Sequence, residues 1–258
     1  MSLTVYEHPL SPYAQKVKMA LLEKGVDFEA KVPDLIAPDP EFVALSPRLE
    51  VPVLVEGDVR LFDSSVILEY IEERFRDVPL LPVMPAERAR VRLIEEMCDT
   101  AYDAVNWGVA EVTVFGRATG DVAERLLAVA RTQVNALNER LERELSTRPW
   151  LNGDAFGFGD IVAFPFVNGA AALGNKPSPG SKVELWLKAL RGRPSAARLK
   201  ADVIESMPLF MNRPREIAEG KLRRQYRDHR LDWMLRSGGL DIVLDGIKNE
   251  TIRFSLDF

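Results

Sequence analysis

The stretch Leu3-Thr-Val-Tyr-Glu-His-Pro-Leu-Ser-Pro-Tyr-Ala-Gln-Lys-Val-Lys-Met-Ala-Leu-Leu-Glu-Lys-Gly25 reads as a strand, a turn and an amphipathic helix. Pro12 suits the first helical position, where its missing N–H would have no intrahelical partner in any case. Ser11 then becomes the N-cap. Its hydroxyl lies where backbone N–H groups and the helix dipole favour a negative charge. Such a hydroxyl either only caps the helix or also holds an anion, and a thiolate is the anion this layout suits.

Further along, Val51-Pro-Val-Leu-Val-Glu-Gly-Asp-Val-Arg-Leu-Phe-Asp63 predicts two short strands joined by the turn Glu56-Gly57-Asp58. Pro52 opens the first of them, where proline is tolerated, and is a candidate for a cis bond. A helix then starts at Asp63-Ser64, with Val66, Ile67, Tyr70, Ile71 and Phe75 at i, i+3, i+4 spacing. The Asp63 carboxylate and Ser64 hydroxyl thus sit at a second helix N-terminus, able to grip the amino and carboxylate groups of a ligand.

The order β-α-β-[α]-β-β-α, with Ser11-Pro12, Val51-Pro52 and Asp63-Ser64 at these places, resembles the glutathione transferase family, in its bacterial-type form with an active-site serine. The resemblance extends over residues 1 to about 210. It implies an α+β chain in which an N-terminal thioredoxin-like α/β domain binds glutathione and an all-helical C-terminal domain supplies the second-substrate pocket. The implied boundaries are 1–78 for the first domain, 79–85 for a linker, 86–209 for the helical domain and 210–258 for an extension beyond the common family length.

By the same resemblance, Ser11 would hydrogen-bond the glutathione sulfur. Val51, before a cis Pro52, would pair its backbone with the cysteinyl unit, and Asp63 and Ser64 would hold the γ-glutamyl end. Glu50 departs from the family pattern, since many members carry Lys or Gln there, near the glycyl carboxylate. A glutamate would repel that group, so Arg48 or Lys31 is expected to supply the positive charge. The second-substrate pocket is expected at Tyr13, Tyr102, Asn106 and Trp107, with Phe115 and the extension as further candidates. The implied activity is attack of the glutathione thiolate on a small hydrophobic electrophile, or reduction of a peroxide or disulfide. The alternative is a non-catalytic protein of the same fold that works by interaction, like relatives serving transcription or translation complexes. A two-fold homodimer is the family's usual assembly, expected near the helices at 64–77 and 87–116.

Composition sets the outer bounds. A chain of 258 residues is long enough for two domains, and 47% apolar with 28% charged residues is ordinary for a globular protein. A net charge of −5 with no long basic run argues against nucleic acid as a partner. No apolar run approaches a membrane span, and the N-terminus lacks the features of a signal peptide, so a cytoplasmic protein is expected. Two histidines and one cysteine cannot build a histidine-rich metal site or an internal disulfide, and no metal is expected. Cys98, within a helical pattern, reads as a small core residue.

The proline-dense Val78-Pro-Leu-Leu-Pro-Val-Met-Pro85 separates the α/β part from a helical remainder. Long helices are predicted from Glu87 to about Gly116 and from Asp121 to about Ser146. Asp160, three residues after Gly157, reads as a structural capping residue. In the extension, the basic and aromatic run Lys221–Arg236 and the alternating Thr251–Phe258 read as a docked, partly solvated tail. Its position over the second-substrate pocket and its position on the outer face of the helical domain are both open at this point.

Overall fold

Four short strands, three rich in apolar residues and one, Glu29-Ala-Lys31, exposed at the edge, build the sheet on which everything else is placed. In the structure, a computed structural model that describes residues 2–254, these are β1 (Leu3–Tyr6), β2 (Glu29–Lys31), β3 (Val53–Glu56) and β4 (Val59–Phe62). The helices α1 (Pro12–Glu23), α2 (Pro40–Leu45) and α3 (Ser64–Arg74) lie between and after them. The strand order is β2-β1-β3-β4, with β1 parallel to β2 and antiparallel to β3, and β3 antiparallel to β4. Val5, Val53 and Leu54 are fully buried, as are Val17, Met19 and Leu21 of α1 and Ile67 and Ile71 of α3. This is the predicted thioredoxin-like arrangement.

The register decides where function can sit. Tyr6 pairs with Val53, and Val53 pairs with Phe62, so one row of residues closes the sheet at one end. The segments leading to Ser11, coming from Pro52 and leading to Asp63 all meet that row. Three motifs far apart in sequence therefore converge.

The helical remainder comprises α4 (Pro85–Met97), α5 (Asp103–Thr113), α6 (Gly120–Glu144), α7 (Phe158–Ala172), α8 (Lys182–Arg191) and α9 (Pro194–Phe210). The single helix expected from Glu87 to about Gly116 is interrupted by a π turn at Cys98–Tyr102. There the Thr100 hydroxyl donates to the Glu96 carbonyl at 2.7 Å, a back-bond of the kind that bends helices. The π turn rotates every later residue relative to an unbroken α-helix. Asp160 is fully buried and accepts hydrogen bonds from the backbone N–H groups of Leu151 (2.8 Å), Asn152 (3.3 Å) and Gly157 (3.1 Å), and from Trp186 Nε1 (2.7 Å).

The extension forms α10 (Arg213–Ala218), β5 (Arg224–Tyr226), α11 (Asp228–Arg236), α12 (Leu240–Lys248) and β6 (Ile252–Phe254), with β5 and β6 parallel. Residues 255–258 of the alternating segment lie outside the described residues. The extension docks on the body. Helix α11 packs on α5, where Gly108 permits the approach: a Cβ there would fall 1.9 Å from the Trp233 ring.

Candidate active site

Helix α1 begins as the sequence predicts. Ser11 is its N-cap, Pro12 follows, and the first turn holds no acidic residue to compete with an anion. The Ser11 oxygen accepts from the Ala14 N–H at 3.3 Å, and no acceptor for its own proton is found among the described residues. Neighbouring Tyr13 is committed elsewhere: its hydroxyl donates to the Asp99 carbonyl at 2.6 Å, and burial pushes its ionisation far up. His8 is kept neutral, as burial, helped by Arg213, lowers its pKa to about 4. Cys98 is fully buried, and burial raises its thiol well above the ordinary range.

The Val51–Pro52 peptide is cis, leading directly into β3. Asp63 caps α3 by accepting from Ser65 N (3.0 Å) and Val66 N (3.3 Å). It does so at φ 74°, a left-handed conformation uncommon for a residue with a Cβ and concentrated at ligand sites. Ser64, the first residue of α3, is buried.

Beneath these groups lies a polar network that sequence reading missed. Lys16, fully buried, donates to Glu95 at 2.7 Å and Asp99 at 2.6 Å. Ser65 donates to Glu95 at 2.8 Å, so α1, α3 and α4 are tied together under the site. Two carboxylates thus share one ammonium. Burial, with Glu95 alongside and against the pull of Lys16, lifts Asp99 to about 6.

Among the residues expected to line the second-substrate pocket, Tyr102 and Asn106 are engaged within the helical domain. Tyr102 is fully buried and its hydroxyl donates to Asn138 at 2.7 Å, on α6. Asn106 donates to the Phe166 carbonyl at 2.9 Å, on α7. The face turned toward the sheet domain and the extension carries Asp99, Asp103, Trp107 and Glu111. Phe115 and Trp107 are covered by the extension: the Arg224 guanidinium stands 3.9 Å from the Phe115 ring centroid and 3.5 Å from that of Trp107. Arg230 adds a second cation at 3.8 Å from the Trp107 centroid, and Tyr226 meets the ring edge-on.

The buried partners of these cations are carboxylates on the same helical face. Arg230 grips Asp103 through two nitrogens, at 2.6 and 3.2 Å, and His229 Nε2 lies 2.8 Å from the same carboxylate. Arg224 and Tyr226 bond Glu111. Burial alone would raise the Asp103 carboxyl, but Arg230 and His229 overcome it and hold the group at about 2. A carboxylate lowered from 3.8 contributes its full stability above pH 4 and loses it as the pH falls through about 2. Hydrogen-exchange protection of residues 228–236 should therefore persist from pH 8 down to about pH 4 and fade below about pH 3. Release of this segment near pH 6 would contradict the assignment.

Arg48 and Glu50 stand at the same mouth. The Arg48 guanidinium lies over the Phe62 ring, and Lys31 is held on β2 near Glu29 and the Tyr6 ring. Glu50 accepts from Gln225 of the extension at 2.6 Å.

Comparison with known proteins decides the family. The family model described as the glutathione S-transferase N-terminal domain matches residues 5–79, and that for the C-terminal domain matches residues 93–194. This chain belongs to the glutathione S-transferase family. Glutathione S-transferase U6 of Arabidopsis thaliana is 33% identical over 154 residues, which are 59% of this chain and 65% of that protein. A stringent starvation protein A homolog of Coxiella burnetii is 42% identical over 92 residues, 36% of this chain and 44% of that protein. The chain thus spans less than two thirds of the length of either relative. The crystal structure of a glutathione S-transferase from Rhodospirillum rubrum F11 superposes with a TM-score of 0.68 at 30% identity, covering 76% of this chain and 91% of that one. The C-terminal family match ends at residue 194, before the extension begins.

Proposed function

We propose that this glutathione transferase holds glutathione across the end of its sheet, with the sulfur as thiolate beside Ser11 for attack on a small electrophile. The observation that carries this reading is the convergence of Ser11, the cis Pro52 and Asp63 on the row Tyr6–Val53–Phe62. Val51 would pair its backbone with the cysteinyl unit, and Asp63 and Ser64 would hold the γ-glutamyl end.

The magnitudes suffice. Lowering a thiol from about 8.5 to about 6.5 needs about 2.7 kcal/mol of preference for the thiolate. A helix N-terminus contributes up to ~2 kcal/mol, and a hydrogen bond to a charged group ~1.5–3 kcal/mol. No general base is required. The electrophile is compact and hydrophobic; in support, Trp107 is already covered by Arg224 and Arg230, which narrows the approach to the rim around Tyr13. Peroxides and disulfides are small enough for the same approach. The exposed Val66 on α3 and Leu93 on α4 support a two-fold homodimer through that face, and cytoplasmic detoxification is the setting this reading implies.

Calorimetric titration with glutathione tests the binding half. Asp63→Asn keeps an acceptor for the Ser65 and Val66 N–H groups and removes only the charge. It should weaken binding by about 1–2 kcal/mol, the margin between hydrogen bonds to charged and to neutral groups. Equal affinities would count against Asp63 as a ligand group.

A second reading, a non-catalytic interaction protein of this fold, is favoured by two observations. The Trp107 face is filled by the chain's own extension, and the Coxiella burnetii relative bears a name other than transferase. Absence of any glutathione heat in the same titration would select it.

A further inference from the structure

Helix α12 turns one face to the protein and leaves an apolar face outside. Ile242, Val243 and Gly246 are buried. Gly246 is seated so closely that a Cβ there would fall 2.6 Å from both the Arg117 guanidinium and the Ile252 side chain. On the outer side, Leu240, Leu244 and Ile247 stand 48%, 54% and 51% exposed. At i, i+4 and i+7 they form one stripe along the helix. Leu235, also exposed, lies in the last turn of α11, which packs on α12. An exposed apolar stripe with a polar rim marks an association surface.

The rim identifies the partner. Asp241 follows Leu240 and Lys248 follows Ile247, so the two charges lie on the same flank of the stripe, at its opposite ends. Both are exposed, and neither has an ion-pair or hydrogen-bond partner among the described residues. Asp245, between them, is drawn toward the C-terminal end by the Asn249 amide, which donates to it at 2.7 Å. The face is therefore complementary to its own reverse. A second α12 laid antiparallel, on a two-fold axis through Leu244, sets Leu240 against Ile247 of the other copy and Asp241 against Lys248, each pair formed twice. The opposed helix dipoles favour the same arrangement. A parallel pair would set Asp241 against Asp241 and Lys248 against Lys248, and like charges so placed repel.

We propose that α12 is a self-association surface, an isologous contact in which two copies of this chain pair antiparallel through Leu240, Leu244 and Ile247. It uses none of the residues of the α3–α4 face, so it is a second two-fold contact, separate from that one. A chain with both assembles beyond a dimer. The extension then has a role that does not depend on the chemistry at Ser11.

Sedimentation equilibrium of the full chain over a concentration series tests this, with the melting temperature of each variant read alongside. The parent should show a concentration-dependent doubling of mass that Leu244→Asp lacks. That substitution sets two carboxylates against each other at the axis and removes an apolar contact from both copies, so association should weaken by about a hundredfold or more. Lys248→Glu alone and Asp241→Lys alone should each weaken it too, because each variant then meets like charges at both ends of the stripe. An equal mixture of those two variants should restore it, since every flank pair between them is again opposite in sign. A parent and a Leu244→Asp protein of equal mass at every concentration overturn the assignment, and this is the result a stripe reserved for a different protein would give. A mixture no more associated than its two components overturns the antiparallel pairing.

Discussion

Replacing Asp103 with alanine should release the extension and cost about 3–5 kcal/mol, the range for removing one partner of a buried ion pair. The reason is the guanidinium left behind. Arg230 is buried, and Asp103 is the only carboxylate it bonds among the described residues. His229 loses the same partner. The loss should propagate, because α11 carries Trp233 onto Gly108 and β5 carries Arg224 onto Trp107. Chemical denaturation should show either a lowered midpoint or a separate early transition for the extension, and a protease should cut near residues 211–223. A double replacement of Asp103 and Arg230 by apolar residues should recover much of the loss, since it removes both charges. Stability within about 1 kcal/mol of the parent for Asp103→Ala would show that the pair does not hold the extension.

A second large effect is expected at Asp160. Alanine there leaves four buried donors without an acceptor: the N–H groups of Leu151, Asn152 and Gly157, and the Trp186 indole N–H. Each unpaired group costs about 1–3 kcal/mol, so the sum reaches the scale of a whole domain's stability, about 5–15 kcal/mol. The variant should fail to accumulate as folded protein. Asp160→Asn, which keeps a carbonyl oxygen, should fold with reduced stability and with glutathione affinity unchanged, because Asp160 lies in the helical domain and touches none of the thiol-binding groups. A folded Asp160→Ala protein of normal stability would refute this account of the turn.

What was legible in the sequence is what local chemistry determines. Ser11-Pro12, Val51-Pro52 and Asp63-Ser64 are cap and turn signals, each read within a few residues, and the structure places all three as the sequence order required. Asp160 was legible for the same reason, as a cap three residues after Gly157.

Tyr102 and Asn106 were expected at the second-substrate pocket from the family resemblance, and the structure gives their side chains partners within the helical domain, Asn138 and the Phe166 carbonyl. The π turn at Cys98–Tyr102, just before Asn106, has no local sequence signal. The four-residue spacing of Asp99, Asp103, Trp107 and Glu111 was the available signal, three carboxylates and an indole on one face. Lys16 was hidden for a different reason. A lysine on a predicted amphipathic helix is ordinarily solvated, and only the fold brings Glu95 and Asp99 to it.

Arg224, Arg227 and Arg230 looked like a partly solvated basic run. Their partners Glu111, Glu50 and Asp103 lie more than a hundred residues away, beyond the reach of any local rule. Counting acids and bases along the two segments would have paired them only with the fold in hand.

The central claim is that the Ser11 hydroxyl and the α1 N-terminus hold glutathione as a thiolate. The direct measurement is the ultraviolet thiolate absorbance of bound glutathione as a function of pH, for the parent protein and for Ser11→Ala. The account predicts a bound thiol titrating about two units below its free value in the parent, and a rise of about one to two units in Ser11→Ala with binding largely intact, since the lost hydrogen bond is worth ~1.5–3 kcal/mol and each unit is about 1.36 kcal/mol. The same thiol pKa in both proteins would contradict it.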